Sequence, residues 1–458
     1  MRLAQKMGWG ALVVLGTIII VLLLLVVFID LNRYKETIQA LAAQQGISLT
    51  LRGDIHQSLL LRPTITATDI DVILPTGNEK LHLHVGKLAS TVDVIAALSG
   101  RVLLKNIEFI DITSPMLTAN GKPLPFTLKA AAAQFDRDTD ALTVDGVALQ
   151  LANITVTAHI TGQSLSTSPT IAIDPLMIEA SDNQISGKLQ WYQIGSSSYG
   201  SMNLKSEKLV VSHLTFTHAV LAAVIGDNKI TLNNLQADAY QGRISSSGVL
   251  TMSGAIPHAV LHASIQNLQL SPLLADMRQT SSIVESGVLQ MDADLVTTPM
   301  NALVALSSLS GSATFGLENL VFIGKSPEQQ VCESAAWLSG QSAPARQWDN
   351  KTTIHKLRAE AKMRNGIADV TSLVAKLNAF GVKGSGLINF LNNTLDIPLQ
   401  LKRMNSQRAA DFCKDVPAQL VDVVWPLRCE GSYAVQDDKA LCDIDKSALE
   451  KLISQRVQ

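Results

Sequence analysis

The sequence predicts a mainly β protein: an N-terminal transmembrane helix, then an elongated body of antiparallel strands with a few short helices. Three observations predict it. Ala11 to Ile29 carry no charge. From Ile47 onward apolar and polar residues alternate with a period of two. Helical periodicity is confined to short stretches between those runs.

The first element is the span. A helix over 11–29 rises about 28 Å, which matches the roughly 30 Å of a bilayer's hydrocarbon core. Phe28, Ile29, Asp30 and Leu31 offer no small-x-small cleavage site, so the helix is expected to stay as an anchor. Arg2 and Lys6 precede it and Asp30 follows it, which places residues 1–10 in the cytoplasm and the body across the membrane; Arg33 and Lys35 soften that asymmetry. In a bacterium this is a single-pass inner-membrane protein with a periplasmic body.

Next, Tyr34, Ile38 and Leu41 recur at helical spacing before Gly46, and predict a short amphipathic helix over 32–45. Its stripe serves as a plug for the first core layer or as a membrane-surface face. The strands follow. Leu81, Leu83 and Val85 alternate with His82 and His84. Ile154, Val156, Ala158 and Ile160 alternate with Thr155, Thr157 and His159, and Leu261, Ala263 and Ile265 with His262 and Ser264. The same holds for Leu289, Met291 and Leu295 against Gln290, Asp292 and Asp294, and for Leu395, Ile397, Leu399 and Leu401 against Asp396, Pro398 and Gln400. Each such strand has one wet and one oily face. Short helices are expected at 94–98, 272–277, 299–306, 328–338 and 447–454. A Ser, Thr and Pro-rich stretch over 164–175 marks a boundary, giving an N-terminal β region over 30–170 and a C-terminal one over 171–458.

A half-oily antiparallel sheet must cover its oily face with helices, another sheet, itself or a ligand. Helices are few here. Alternation leaves two readings, packed sandwiches or a curled sheet with an aliphatic trough, and aromatic residues at only 4% of the chain lean toward the second. A trough would suit acyl chains, because each buried CH₂ is worth about 0.8 kcal/mol and aliphatic walls bind every position alike. The residues expected to line it are the alternating aliphatics just named.

Charge excludes one class of partner. Charged residues make up 17% with a net charge of −2, so nothing offers the concentrated Lys and Arg of a nucleic-acid surface. The four cysteines, Cys332, Cys413, Cys429 and Cys442, permit disulfides in a translocated body; Cys429 and Cys442 suit a short closed loop, with connectivity open. Their spacing lacks the paired C-x-x-C of a structural zinc site.

Three stretches resemble the AsmA family of bacterial envelope proteins. The first runs from Phe28 to Lys35 and on from Ala43 through Gly46 to Gly53, Asp54 and Ile55: anchor, short helix, Gly, then a strand ending in a Gly-acidic-Ile turn. The second is Ile265 to Leu274, followed by Ser286 to Leu289 and Leu309 to Phe315. The third is Asn365 to Ala368, then Gly384 to Phe390 and Asn393 to Asp396. Their order along the chain carries the resemblance. It implies a long, twisted, taco-like sheet with an apolar groove, acting as a bridge-type conduit for phospholipid between inner and outer membranes. The implied partners are phospholipid acyl chains, the inner membrane, and the outer membrane or one of its proteins. The C-terminal cysteines and the modest length depart from the family's large members. About 25 strands at roughly 4.8 Å spacing make roughly 120 Å of sheet before coiling.

No G-x-S-x-G elbow, H-E-x-x-H or P-loop occurs, and no cofactor or catalytic residue is expected. Gly381, Gly384 and Gly386 have the wrong spacing for a phosphate cradle and read as a strand bend. His82 and His84 share a strand face, as do Asp292 and Asp294; both pairs read as wet surface rather than a metal or acid–base site. The rival to a lipid conduit is an envelope scaffold for outer-membrane proteins, with closed, dry sheets.

Overall fold

The computed structural model describes residues 32, 35–44, 48–58, 64–76, 79–93, 96, 101–115, 118–119, 122–136, 138–164, 168–194, 197–226, 228–252, 256–276, 284–340, 347–404, 423–432 and 442–457. The expected span at 11–29 lies outside them, as does the expected helix at 94–98 apart from Ala96. Among the described residues no helix is long and apolar enough to cross a membrane.

The chain divides into two compact units, Met1–Glu207 with Ile225–Asp227, and Lys208–Val224 with Asn228–Gln458. The first holds helix α1 (Lys35–Gln44) and strands β1 (Ser48–Leu51), β2 (Ile55–Ser58), β3 (Thr64–Thr76), β4 (Glu79–Val92) and β5 (Arg101–Thr113). A two-residue hairpin of β6 (Thr118–Ala119) and β7 (Lys122–Pro123) follows. Then come β8 (Phe126–Asp136), β9 (Ala141–Leu151), β10 (Ile154–Gln163), β11 (Thr170–Ala180), β12 (Asn183–Ile194) and β13 (Ser197–Val211). Both β1 and β2 pair with β3, and from β3 each main-ladder strand pairs antiparallel with the next as far as β13. The Ser, Thr and Pro-rich stretch at 164–175 spans the β10–β11 hairpin, where Gln163 pairs with Thr170.

The second unit begins with β14 (Leu214–Gly226), β15 (Lys229–Ala239), β16 (Gly242–Thr251) and β17 (His258–Gln269), then α2 (Leu270–Asp276). It continues through β18 (Val284–Thr297), α3 (Ala302–Ser307), β19 (Ser310–Ile323) and α4 (Pro327–Leu338). Strands β20 (Lys351–Arg364), β21 (Ile367–Lys376), β22 (Phe380–Asn389), β23 (Thr394–Arg403), β24 (Trp425–Ser432) and β25 (Cys442–Ile444) precede α5 (Lys446–Val457). From β15 to β25 every strand pairs antiparallel with its successor. Antiparallel neighbours need no crossover, and most are joined by short turns, with α2, α3 and α4 between β17 and β18, β18 and β19, and β19 and β20. Four of the five short helices and the amphipathic one fall where the sequence predicts them, within a few residues at each end.

Alternation with a period of two is broken at one kind of place. In β17, Gln266 and Asn267 together oppose only Gln290, so Ile265 and Leu268 flank a bulge, and Asn267 takes φ +54°. The same two-against-one step occurs in β5 at Asp111, in β9 at Gly146, in β11 at Asp174 and Pro175, in β15 at Asn233 and Asn234, and in β21 at Thr371 and Ser372. A bulge adds one residue, bends its strand and raises the local twist. It also shifts the side-chain parity, so that the apolar residues on its two sides, three apart, stay on one face.

Each unit has a large closed core, and the second has a smaller one as well, Ala361, Met363, Ala368 and Val370, against which Leu295 and Phe315 pack. In the first unit Leu104, Phe109, Ile112, Ala133 and Val144 are at most 1% exposed, and Ala42 of α1 packs against the same cluster. Asn32 fastens the chain ahead of α1: its side-chain amide donates to the Ile55 carbonyl and its oxygen accepts the Ile55 N–H, both at 3.0 Å. In the second unit α4 lays Val331, Cys332, Ala335 and Ala336 onto Phe380, Val382, Leu401 and Trp425. Ser326 caps α4 by accepting the Gln329 N–H, and Pro327 stands at its first turn. Cys429 and Cys442 face one another across β24 and β25 and form a disulfide, and Cys332 is disulfide-bonded too. Cys413 lies outside the described residues.

Two predictions follow from the bulges and the helix plug. Asn267→Val should cost about 1–2 kcal/mol, because a β-branched residue resists the left-handed conformation, whereas Asn267→Gly should be near neutral; urea unfolding of the two variants checks this. Burial pushes the Glu328 carboxyl up, against the opposing effect of N–H groups including that of Ala379. A raised carboxyl makes the folded state hold its proton longer than the unfolded chain, so its contribution to stability falls as pH rises from the ordinary carboxylate value through the raised one. Glu328→Gln should remove that fall and leave the protein at least as stable at neutral pH, as thermal melts across acid to neutral pH would read.

Candidate functional site

Strand pairing sets which side chains share a face, because directly opposed residues in an antiparallel ladder point the same way. In the first unit one row runs Val92, Leu104, Ala133, Val144, Ile160, Ile173, Leu189, Met202, from β4 to β13. A parallel row runs Leu88, Phe109, Leu128, Leu149, Val156, Ile178, Ile185. In the second unit Ile244, Ile265, Met291, Phe315, Ala359, Leu373, Gly384 and Leu399 form one row from β16 to β23. Gly248, Leu261, Leu295, Gly311, Met363, Ala368, Ile388 and Leu395 form another.

The opposite face is polar. Ser247, His262, Asp294, Ser312, Lys362 and Asp369 make one row of it, and Ser264, Asp292, Thr314 and Glu360 the next. Cross-strand His–Asp contacts dot this side in both units: His84 with Asp71 at 2.9 Å, His159 with Asp145 at 2.7 Å, His262 with Asp294 at 2.9 Å and His218 with Asp238 at 3.3 Å. His84 also lies 3.8 Å from Asp69, so β3 supplies two carboxylates to it that sequence spacing did not connect. Arg52 already occupies the second oxygen of Asp71 at 2.7 Å, which makes the group a surface charge network. Asp292 and Asp294 sit on this wet side, as the alternation implies.

Every residue expected to line a groove lies on the apolar face of its unit: Leu81, Leu83, Val85, Ile154, Val156, Ala158 and Ile160 in the first, Leu261, Ala263, Ile265, Leu289, Met291, Leu295, Leu395, Ile397, Leu399 and Leu401 in the second. They are not equally accessible. Leu83, Val85 and Ile160 are sealed in the first unit's core, where Leu81, Val156 and Ala158 pack against them. Leu401 is 0% exposed beneath α4, and Ile397 is buried behind the Cys429–Cys442 bridge strands. Leu261, Ala263, Ile265, Leu289 and Met291 are half-buried.

The sequence reading passed over several residues of the same face: Leu189, Met202 and Leu204 in the first unit, and Ile244, Phe315, Leu317 and Leu357 in the second, all half-buried. The signal that finds several of them is plain alternation, as in Met202-Asn203-Leu204 and Phe315-Gly316-Leu317. The glycines at 384 and 386 mark close strand approach rather than a bend: a Cβ on Gly386 would overlap the Asp396 carbonyl, and one on Gly384 would overlap Leu399.

A cleft of about 730 Å³ opens on the polar face of the second unit, lined by Thr215, Thr217, Asp238, Tyr240, Arg243 and Gln266 among others. Its charged groups are engaged with one another. Arg243 donates to Asp238 at 2.9 Å and, with His218, holds that carboxyl below its ordinary range. Tyr240 donates to Asp276 at 2.9 Å, and burial together with that carboxylate pushes its phenol up. Nothing in the cleft pairs a nucleophile with a free base.

The sequence profile of the AsmA family matches residues 1–134. Over that stretch the chain is similar to the AsmA family. The stretch takes in α1 and β1 to β5, with most of β8, the strands whose apolar face is dry. No characterised protein and no solved structure matches the chain significantly. The half-buried apolar face of the second unit lies beyond the AsmA-matched residues, so its reading rests on its own geometry.

That geometry separates structural from available aliphatics. Phe109→Ala, in the closed core, should cost about 3–5 kcal/mol, while Met291→Ala, on the half-buried face, should cost less than about 2 kcal/mol. Chemical denaturation monitored separately for the two units distinguishes these outcomes.

Proposed function

We propose that this chain carries phospholipid between the membranes of a bacterial envelope, with acyl chains lying on the apolar sheet faces and head groups left in water. The observation that carries this reading is the half-buried aliphatic band over Ile244, Leu261, Ile265, Leu289 and Met291, set against the mainly polar opposite face of the same strands. Aliphatic walls suit translocation, since they hold CH₂ groups without favouring any position along the row. The similarity of residues 1–134 to the AsmA family agrees with a lipid-handling role, and with an inner-membrane anchor and periplasmic body. Conduction of this kind requires no covalent step, and we read the protein as a carrier without enzymatic activity or cofactor.

A second reading, an envelope scaffold that assists outer-membrane protein assembly, draws on one observation: the first unit's apolar face is sealed over β3 to β9. The two differ in what the purified protein contains. Full-length protein extracted in mild detergent should co-purify phospholipid, quantified by mass spectrometry, and Met291→Asp should lower that amount at least severalfold while the protein still unfolds cooperatively on heating. Lipid-free wild-type protein would instead support the scaffold. Val156→Asp is the wrong probe, because Val156 packs against the closed core and its charge would act on folding.

A further inference from the structure

We propose that the β16–β19 end of the second unit carries a membrane-inserting wedge that docks on a bilayer surface containing anionic phospholipid. Val260 and Val296 are cross-strand partners on the mainly polar face, 55% and 44% exposed. The next pair outward is Ala259 with Thr297, so Ile256 ahead of β17 and Met300 after β18 leave the sheet at the same end. Ile256 is 51% exposed, Met300 55%, and Leu303, in the first turn of α3, 71%. These are the tips of connecting segments, held out by local bonds: the Asn301 side chain accepts the Val304 N–H at 2.9 Å, and Thr297 donates to the Ala305 carbonyl.

The chemistry around the tips selects the occupant. No charged residue occurs from Ile244 to Pro257 or from Leu295 to Leu317, two long gaps in a chain whose charged content is 17%. Flanking them at the same end of the ladder stand cations. Lys229 pairs with Thr251, which pairs with His258, and Arg364 follows Met363 at the end of β20, one step beyond the Gly311–Met363 pair. The first acid inward along β18, Asp294, is held by His262. Protein interfaces set an apolar centre inside a rim of hydrogen-bonding groups on a complementary surface. Separate protruding aliphatic tips bordered by Lys229 and Arg364 instead fit a fluid interface in which side chains sink among acyl chains and cations meet phosphate.

The wedge is independent of the apolar face that faces lipid in the proposed function, and one preparation tests both. The full chain, held in amphipathic-peptide discs, is floated with vesicles of phosphatidylcholine alone or mixed with phosphatidylglycerol, while its co-purified lipid is measured separately. Wild type should float with the mixed vesicles; Met300→Glu with Leu303→Glu should reduce flotation about tenfold and leave co-purified lipid unchanged. Lys229→Gln with Arg364→Gln should reduce binding to mixed vesicles and not to phosphatidylcholine alone. In Leu303→Trp, added mixed vesicles should shift the new indole's emission to the blue. Undiminished flotation of the double glutamate variant overturns the proposal. So does a blue shift of Leu303→Trp that grows with protein concentration in the absence of vesicles, since a second copy of the chain would then be the occupant.

Discussion

The segregation of apolar from polar side chains to opposite faces of an antiparallel meander is the constraint on which everything else in this protein depends. One misplaced residue in a strand would send every later side chain to the wrong face. The chain nevertheless inserts extra residues repeatedly, at Asp111, Gly146, Asn234 and Asn267 among others. It keeps parity by making each insertion a bulge whose flanking apolar residues are three apart. Residues that tolerate or favour the left-handed region, Asn, Asp and Gly, carry the insertion in most of these places. The bulges thus reconcile two demands: strands that bend and twist, and an oily side that never changes hands.

What covers the oily side differs along each unit, and that difference separates structure from function. Over β3 to β9 the face closes on itself with α1 at its border, and near the C-terminus α4 seals β21 to β24. Both closures hold side chains at almost zero exposure, where packing stabilises the fold and leaves no room for a ligand. Over β16 to β19 the face is less closed: Ile244, Leu261, Ile265, Leu289 and Met291 are half-buried, with Ala293 and Ala313 buried among them. Aliphatic surface left in water costs free energy unless something apolar meets it, and lipid tails are the partner whose chemistry requires nothing more from the wall.

The polar face shows the complementary economy. Its His–Asp and Arg–Asp contacts are mostly exposed, so each contributes little to stability. Their effect is to keep one side wet and to disfavour lateral association. The exposed Val260–Val296 pair interrupts this face, as Val374 and Leu387 do further along it.

How much of this could be read from the chain follows from the range of the interactions involved. Alternation in runs such as Leu261-His262-Ala263-Ser264-Ile265 is local, so strand identity, the oily side of each strand and the antiparallel order were legible without coordinates. Four of the short helices were legible too, through periodicity. The Cys429–Cys442 pair was open among alternatives, and cross-strand pairing of β24 with β25 decided it. Strand-to-strand pairing likewise decided that His84 meets Asp69 and Asp71, and that Phe315 continues the row of Met291. By itself the sequence determined that each strand has an apolar face; only the tertiary structure decided which stretches of that face are sealed and which remain half-buried, because burial depends on what the chain brings against a residue from far away in sequence, and alternation contains no information about that.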